Sequence, residues 1–197
     1  SSEAGRSDWP VILGGTLPYV DIFLPSVEEI LFLLHGDKYR EMYRLSPGTD
    51  LLGLITPQLL SDLGRELIAM GAKIVGLKLG SRGMYLRTGD RKAIDSIGRG
   101  RPANSEAWAG VELWAPCFTV KVAGTTGSGD ATIAGFLASL LRDLPVEQAL
   151  TMAVAVGACN VEAADALSGI CTWQETSSRI ARGWERQTHD ELSCPFR

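Results

Sequence analysis

The stretch Thr125-Thr126-Gly127-Ser128-Gly129-Asp130-Ala131 decides the fold, because it joins a glycine-rich turn to the start of a helix. Gly127 and Gly129 let the backbone turn tightly and come close to a ligand. After the turn, apolar residues recur at the three- and four-residue spacing of a helix with one buried face: Ile133, Phe136, Leu137, Leu140 and Leu141. We therefore predict that a buried helix begins directly after the glycines.

A helix start of this kind is suited to an anion, since its unpaired N–H groups and partial positive charge favour a phosphate. Asp130 falls in the first turn, where a carboxylate can accept the proton of an attacking hydroxyl while backbone amides hold a phosphoryl group. A simpler interpretation fits the same residues: Asp130 caps its helix and the glycines only shape a turn. The Walker pattern G-x-x-x-x-G-K-[ST] is absent, and the spacing does not match G-x-G-x-x-G.

Strand-like and helix-like segments alternate along the chain, which favours an α/β layered fold with a largely parallel sheet. The predicted strands are 19–24, 73–79, 84–87 and part of 111–122, and the predicted helices are 28–34, 56–70, 130–142, 146–164 and 173–184. Two stretches without clear periodicity, 36–50 and 89–110, are predicted to be loops or insertions.

The composition is that of one globular domain, which we assign to 1–197. Hydrophobic residues make up 45% and charged residues 21%, near the averages for soluble proteins. The net charge of -4 argues against a broad nucleic-acid surface. No apolar run is long enough to predict a membrane-spanning helix, so we expect no membrane partner. Four scattered cysteines and two histidines offer no C-x-x-C pair, no disulfide framework and no zinc pattern, so we expect a cytoplasmic protein.

Three motifs together resemble the ribokinase (PfkB) family of carbohydrate kinases. Residues 126–131, with Ala134-Gly135-Phe136-Leu137 behind them, are similar to the family's C-terminal signature D-T-T-G-A-G-D-A. Lys78-Leu79-Gly80-Ser81-Arg82-Gly83 is similar to the T-L-G-x-x-G turn that lies along ATP, and Pro25-Ser26-Val27-Glu28-Glu29 resembles P-N-x-x-E. The motifs occur in family order.

The resemblance implies a ribokinase-like three-layer sandwich that uses ATP and Mg²⁺ to phosphorylate a hydroxyl of a sugar or sugar-like small molecule. It implies catalytic roles for Asp130 as the base and for Gly127, Ser128 and Gly129 as the anion hole. It also implies that the nucleotide is lined by Lys78, Gly80, Gly83 and Val154. Glu29 would order the metal. For three of these positions simpler interpretations stay open: Val154 as a core valine, Glu29 as an exposed carboxylate at a helix start, and Lys78 as a solvent-exposed lysine at a strand end.

The resemblance runs from about residue 8 to 175 and corresponds to the later part of the family's length. The earlier part, which carries most sugar contacts and a β lid, is not in this sequence. An exposed sheet edge would then favour association, so we expect a homo-oligomer. Gly124 stands where the family has an Asp linked to a monovalent cation, which makes potassium activation doubtful. Ser26, Lys78 and Ser128 also depart from the family pattern.

Two other functions remain open at this stage. One is a non-catalytic nucleotide-binding or regulatory module, a remnant of such a kinase, which the missing front part and Gly124 favour. The other is a nucleoside or vitamin kinase on the same scaffold, because a fold does not fix the substrate.

Overall fold

The computed structural model describes residues 7–45 and 51–188 together with Leu192. Its α-helices are α1 Trp9–Thr16, α2 Val27–Leu34, α3 Gly36–Leu45, α4 Pro57–Ala69, α5 Arg91–Asp95, α6 Ser105–Trp108, α7 Ser128–Leu140, α8 Val146–Asn160 and α9 Trp173–Ala181. Its strands are β1 Ile22–Phe23, β2 Ile74–Lys78, β3 Met84–Thr88 and β4 Glu112–Ala115. Short 3₁₀ turns cover Leu17–Tyr19, Leu51–Leu54 and Gly80–Arg82.

The four strands form one sheet in the order β1-β2-β3-β4. β1 is parallel to β2, with Ile22 opposite Ile74, whereas β2–β3 and β3–β4 are antiparallel. The prediction of a largely parallel sheet is therefore wrong for the described strands, which form a mixed sheet. The reason is the length of the connections: helices α2 to α4 link β1 to β2, but a tight turn at 80–83 reverses the chain at once into β3.

Helices cover both faces of the sheet, so the molecule has three layers. Along β2, Val75 and Leu77 pack in one apolar cluster with α1, α2 and α4, while Ile74 belongs to a second cluster with α7 and α8. This division follows from the pleat, which sends successive side chains to opposite faces. The second layer of helices carries the glycine-rich turn and brings it to the end of β2.

Most predicted elements are present with slightly shorter bounds. Helices α2, α4, α7, α8 and α9 and strands β2 and β3 lie where the apolar periodicity placed them. The strand predicted within 111–122 ends at Ala115, before Pro116, and the strand predicted at 19–24 is reduced to Ile22–Phe23 because a 3₁₀ turn occupies Leu17–Tyr19. Proline lacks the N–H that would continue the ladder.

The two predicted loops contain helices instead. α3 occupies Gly36–Leu45, and the rest of the 36–50 prediction, 46–50, lies outside the described residues. α3 is mostly polar and only Met42 of it is buried, although Tyr39 meets Phe32 edge-on at 5.5 Å. Within 89–110, the short helices α5 and α6 are capped by the side chains of Asp90 and Asn104. Side-chain capping stabilises such short helices without a long apolar stripe.

None of the helices in the described ranges is long and apolar enough to cross a membrane.

Candidate active site

The turn before α7 has the geometry that its glycines imply. Gly127 is the N-cap residue, in the left-handed region with φ 79° and ψ -4°. A Cβ built on it would lie 3.0 Å from the carbonyl oxygen of Ala166, so both conformation and space favour glycine. Because the cap has no side chain, it supplies no acceptor to the N–H groups of the first turn, which leaves that helix end suited to an anion.

Asp130 is the third residue of α7, not its cap. The side chain is exposed, and its carboxylate makes no hydrogen bond or ion pair with any residue in the described part of the chain. The simpler interpretation of Asp130 as a helix cap therefore does not match its position. Its carboxylate is free to meet a substrate hydroxyl beside the helix end.

Lys78 connects the end of β2 to this helix start. Its backbone N–H donates to the carbonyl of Pro25 at 3.0 Å, in a parallel bridge beside Ser26. Its side chain reaches the other way, so that Nζ lies 3.5 Å from the position of a Cβ built on Gly129. The sheet thus places a cation at the mouth of the anion-binding turn.

The turn after Lys78 also depends on glycine. Gly80 has φ 55° and Gly83 has φ 95°. A Cβ on Gly83 would lie 2.0 Å from the carbonyl oxygen of Ala115 on β4, which excludes any other residue there without movement. The buried Arg82 fixes the turn from behind by donating to the carbonyls of Leu52 and Ile55.

One cavity of about 230 Å³ joins these parts. Six of the predicted site residues line it: Lys78, Gly80, Gly83, Ser128, Gly129 and Val154. Part of its wall is apolar, and Val154 is both a core residue of α8, 2% exposed, and part of that wall. Lys78 and the start of α7 line the same cavity. A molecule with one apolar end and one anionic end suits this shape.

Three predicted residues do not line the cavity. Gly127 and Asp130 flank its lining residues Ser128 and Gly129 in sequence, so they stand at its edge. Glu29 instead belongs to a separate groove beside Phe23 and Phe32.

Glu29 closes a capping box at the start of α2. Its Oε2 accepts from the Ser26 N–H at 2.8 Å, and its own N–H donates to the Ser26 hydroxyl at 3.2 Å. These hydrogen bonds lower the pKa of the Glu29 carboxyl, burial opposes them, and the charge of Lys78 lowers the pKa further. The carboxylate is thus fixed on the same side of the sheet end as Lys78.

The carboxylates near this site would hold Mg²⁺ only together with phosphate oxygens of a bound substrate. Among the described residues, no group of three or more His, Cys, Asp or Glu side chains is placed to hold a metal. Mg²⁺ commonly takes one or two carboxylates, several waters and substrate phosphate oxygens. Of the predicted site residues, Asp130 at the edge of the cavity and Glu29 in the neighbouring groove carry the carboxylates for such an arrangement.

The sequence did not predict the part of the cavity wall formed by 117–119 and the segment after α9. Residues after α9 run back along 117–119: the N–H of Thr119 donates to the carbonyl of Glu185, and that of Gln187 to the carbonyl of Cys117, both at 2.8 Å. Trp184 stacks on Phe118 with ring centroids 4.4 Å apart. This docking brings Gln187 into the cavity lining. No local sequence motif predicts this docking, because the paired residues are more than sixty positions apart in the chain.

Cys117 also lines the cavity. Its thiol donates to the carbonyl of Gly80 at 3.4 Å, and burial raises its pKa to about 11. It is therefore a neutral thiol at physiological pH that supports the turn at Gly80.

Gly124 departs from the family signature, and the chain packs closely around it. A Cβ built on it would lie 2.8 Å from the carbonyl oxygen of Ala164 and 3.1 Å from that of Ala163. An aspartate at this position would have no room without movement of that segment.

The fold and site define a class of protein, and residues 13–173 match the pfkB family carbohydrate kinase. The chain belongs to this family. It is 29% identical over 169 residues to an uncharacterized sugar kinase of Archaeoglobus fulgidus, covering 86% of this chain and 49% of that protein. It is 26% identical over 147 residues to the 2-dehydro-3-deoxygluconokinase of Bacillus subtilis, covering 75% of this chain and 38% of that protein.

Solved structures confirm the ribokinase-like fold. A putative ribokinase II from E. coli, in complex with ATP and Mg²⁺, superposes with a TM-score of 0.58 at 21% identity, covering 86% of this chain and 42% of that one. The chain therefore spans about half the length, or less, of the relatives it matches.

Proposed function

We propose that this chain is the nucleotide-binding and catalytic portion of an ATP-dependent carbohydrate kinase. The reaction is transfer of the γ-phosphoryl group of ATP, with Mg²⁺, to a hydroxyl of a sugar or sugar-like molecule. One cavity supports this proposal: Lys78, the glycine turn at 80–83 and the start of α7 line it together, beside the carboxylate of Asp130, which has no partner among the described residues.

The proposal gives ATP one orientation in the cavity. In it the base lies against the apolar lining that includes Val154, and the phosphates run past Gly80 and Gly83 toward the start of α7. There the N–H groups around Ser128 and Gly129 and the ammonium of Lys78 meet the negative charge. The E. coli structure that contains ATP and Mg²⁺ supports this choice of ligand for the fold.

Asp130 is the general base in this proposal. Its carboxylate accepts the proton of the acceptor hydroxyl, whose oxygen forms a bond to the γ-phosphorus as the bond to the β–γ bridging oxygen breaks and ADP leaves. The backbone amides at the start of α7 hold the transferring group and stabilise its charge. Mg²⁺ would supply charge neutralisation on the phosphates, and Glu29 would help to hold it through water.

The acceptor and the location are also proposals. The names of the relatives point to sugars and sugar acids as acceptors. The three cysteines among the described residues are free thiols, and reduced thiols are usual in the cytoplasm, where we place the protein.

The test is Asp130→Asn, assayed for phosphoryl transfer from ATP to a panel of sugars and sugar acids. Loss of a general base lowers turnover at least about a hundredfold while Mg-ATP still binds. The matched control is Glu147→Gln, which removes an exposed carboxylate from the first turn of α8 and leaves turnover unchanged. An Asp130→Asn protein with full activity would refute the assignment.

A further inference from the structure

The ammonium of Lys78 has no partner of its own in the described part of the chain, where it makes neither a hydrogen bond nor an ion pair within 4.0 Å. The aliphatic stem runs along the first turn of α7, with Cδ and Cε 3.8 and 3.9 Å from the Cβ position of Gly129. The side chain is half-buried and lines the cavity. The ammonium of Lys78, with three N–H donors and one positive charge, is therefore available to a ligand in the cavity.

Two positive centres meet at this point. The start of α7 carries a partial positive charge of its own, and the ammonium lies beside it. The carboxylate of Glu29 acts on Lys78 through space, but its Oε2 is held by the Ser26 N–H at 2.8 Å. Like charges placed together in a partly buried cavity are unfavourable unless an anion binds between them.

The position of the Lys78 ammonium along the cavity indicates which part of a bound anion it contacts. A reacting phosphoryl group must lie within hydrogen-bond reach of the acceptor hydroxyl whose proton passes to Asp130. Gly129 is the residue immediately before Asp130, so an ammonium beside Gly129 is beside the reacting group.

We propose that Lys78 binds the terminal phosphate of ATP and so makes this site select ATP over ADP. This inference rests on the proposed function. The ammonium neutralises charge on the group that is transferred, and ADP, which lacks that group, leaves more readily. Lys78 is then a specificity-determining residue of the cavity, more than a part of its lining.

The first experiment uses the unmodified chain. Isothermal titration gives the Kd for Mg-ATP and for Mg-ADP under the same salt conditions. A charge-assisted contact to the terminal phosphate predicts that Mg-ATP binds about tenfold or more tightly than Mg-ADP. Equal affinities would overturn the inference and leave the proposed nucleotide site standing. Absence of binding by either nucleotide to the folded chain would instead overturn the proposed function, and this inference with it.

Variants then assign the preference to Lys78. Lys78→Met should remove most of the ATP preference while the Kd for Mg-ADP stays close to that of the unmodified chain. Lys78→Arg keeps the charge and should keep a preference for ATP. The control is Lys92→Met, which removes the same charge from the exposed face of α5, remote from this cavity, and should change neither Kd.

An equal loss of Mg-ATP and Mg-ADP affinity in Lys78→Met would place the ammonium on the inner phosphates and contradict the inference. So would an unchanged ATP preference in that variant. Circular dichroism of each variant establishes that it is folded. If Lys78→Met does not fold, equal affinities of the unmodified chain for Mg-ATP and Mg-ADP would still overturn the inference, and Lys78→Gln takes the place of the methionine variant.

Discussion

Gly157 in α8 meets Thr132 in α7 so closely that a Cβ built on the glycine would lie 2.2 Å from the Oγ1 of the threonine. That hydroxyl donates to the carbonyl of Ser128 at 2.8 Å, one turn back at the start of the helix. Both residues line the cavity. The two helices therefore pack tightly beside the glycine turn that precedes α7, and their spacing helps to set where that turn lies.

Gly157→Ala should overpack this contact. Inserting a methyl group into a tight core site lowers the free energy of unfolding by about 1–3 kcal/mol. Gly14→Ala is the control. Gly14 is also helical, but no atom lies within 4 Å of a Cβ built on it, so this variant shows the effect of the higher helix propensity of alanine without overpacking. We expect Gly157→Ala to be less stable than Gly14→Ala in urea unfolding, and to bind Mg-ATP more weakly than the unmodified chain.

The double variant Thr132→Ala with Gly157→Ala identifies the cause. Removing the hydroxyl relieves the overlap, so the added methyl should destabilise this background less than it destabilises the unmodified one. Equal destabilisation in both backgrounds would contradict the account of the contact.

Glu29→Gln should destabilise the chain in a pH-dependent way. The pKa of the Glu29 carboxyl is lowered from its ordinary value of 4.5, chiefly by hydrogen bonds from Ser26. A lowered folded pKa means that the carboxylate stabilises the chain above its unfolded pKa, and that this contribution is lost as the pH falls through the folded value. The expected loss at neutral pH is roughly 0.3–1.5 kcal/mol, the contribution of one capping interaction.

Urea unfolding at neutral and acidic pH checks this prediction. The control is Glu28→Gln, which removes an exposed carboxylate from the same first turn but leaves the capping box intact. The Glu29→Gln variant should have a lower free energy of unfolding than the Glu28→Gln variant at pH 7, and this difference should shrink in acid. A difference in free energy that grows in acid would contradict the prediction.

Nucleotide binding should not depend on potassium. The signature aspartate associated with a monovalent cation is replaced by Gly124, and a Cβ there would lie 2.8 Å from the carbonyl oxygen of Ala164. The Kd for Mg-ATP measured in potassium chloride should equal that in choline chloride at the same ionic strength. Reproducibly tighter binding in potassium would show that the site holds the cation without the aspartate.

The parts of the site that the sequence predicted are those in which local backbone chemistry dictates structure. Gly127 and Gly129 before a helical apolar period predicted the start of α7 within two residues, because the glycines and the buried face are contiguous. The turn between β2 and β3 was predictable for the same reason: Gly80 and Gly83 both adopt positive φ. The family motifs then placed Lys78 beside that turn.

The parts that the sequence did not predict depend on long-range packing. Gln187 reaches the cavity only because the chain after α9 pairs with 117–119 and Trp184 stacks on Phe118. The mixed strand directions follow from connection lengths, which apolar periodicity does not report. α3 was missed because tertiary contacts at Tyr39 and Met42 stabilise a helix whose apolar stripe is short.

Isothermal titration of the folded 197-residue chain with Mg-ATP measures directly whether the cavity between β2 and α7 binds the nucleotide. We expect saturable binding at one site, retained in Asp130→Asn because that change removes a base and not the glycine turn before α7. Absence of Mg-ATP binding by a chain that circular dichroism shows to be folded would rule out a nucleotide site in this cavity.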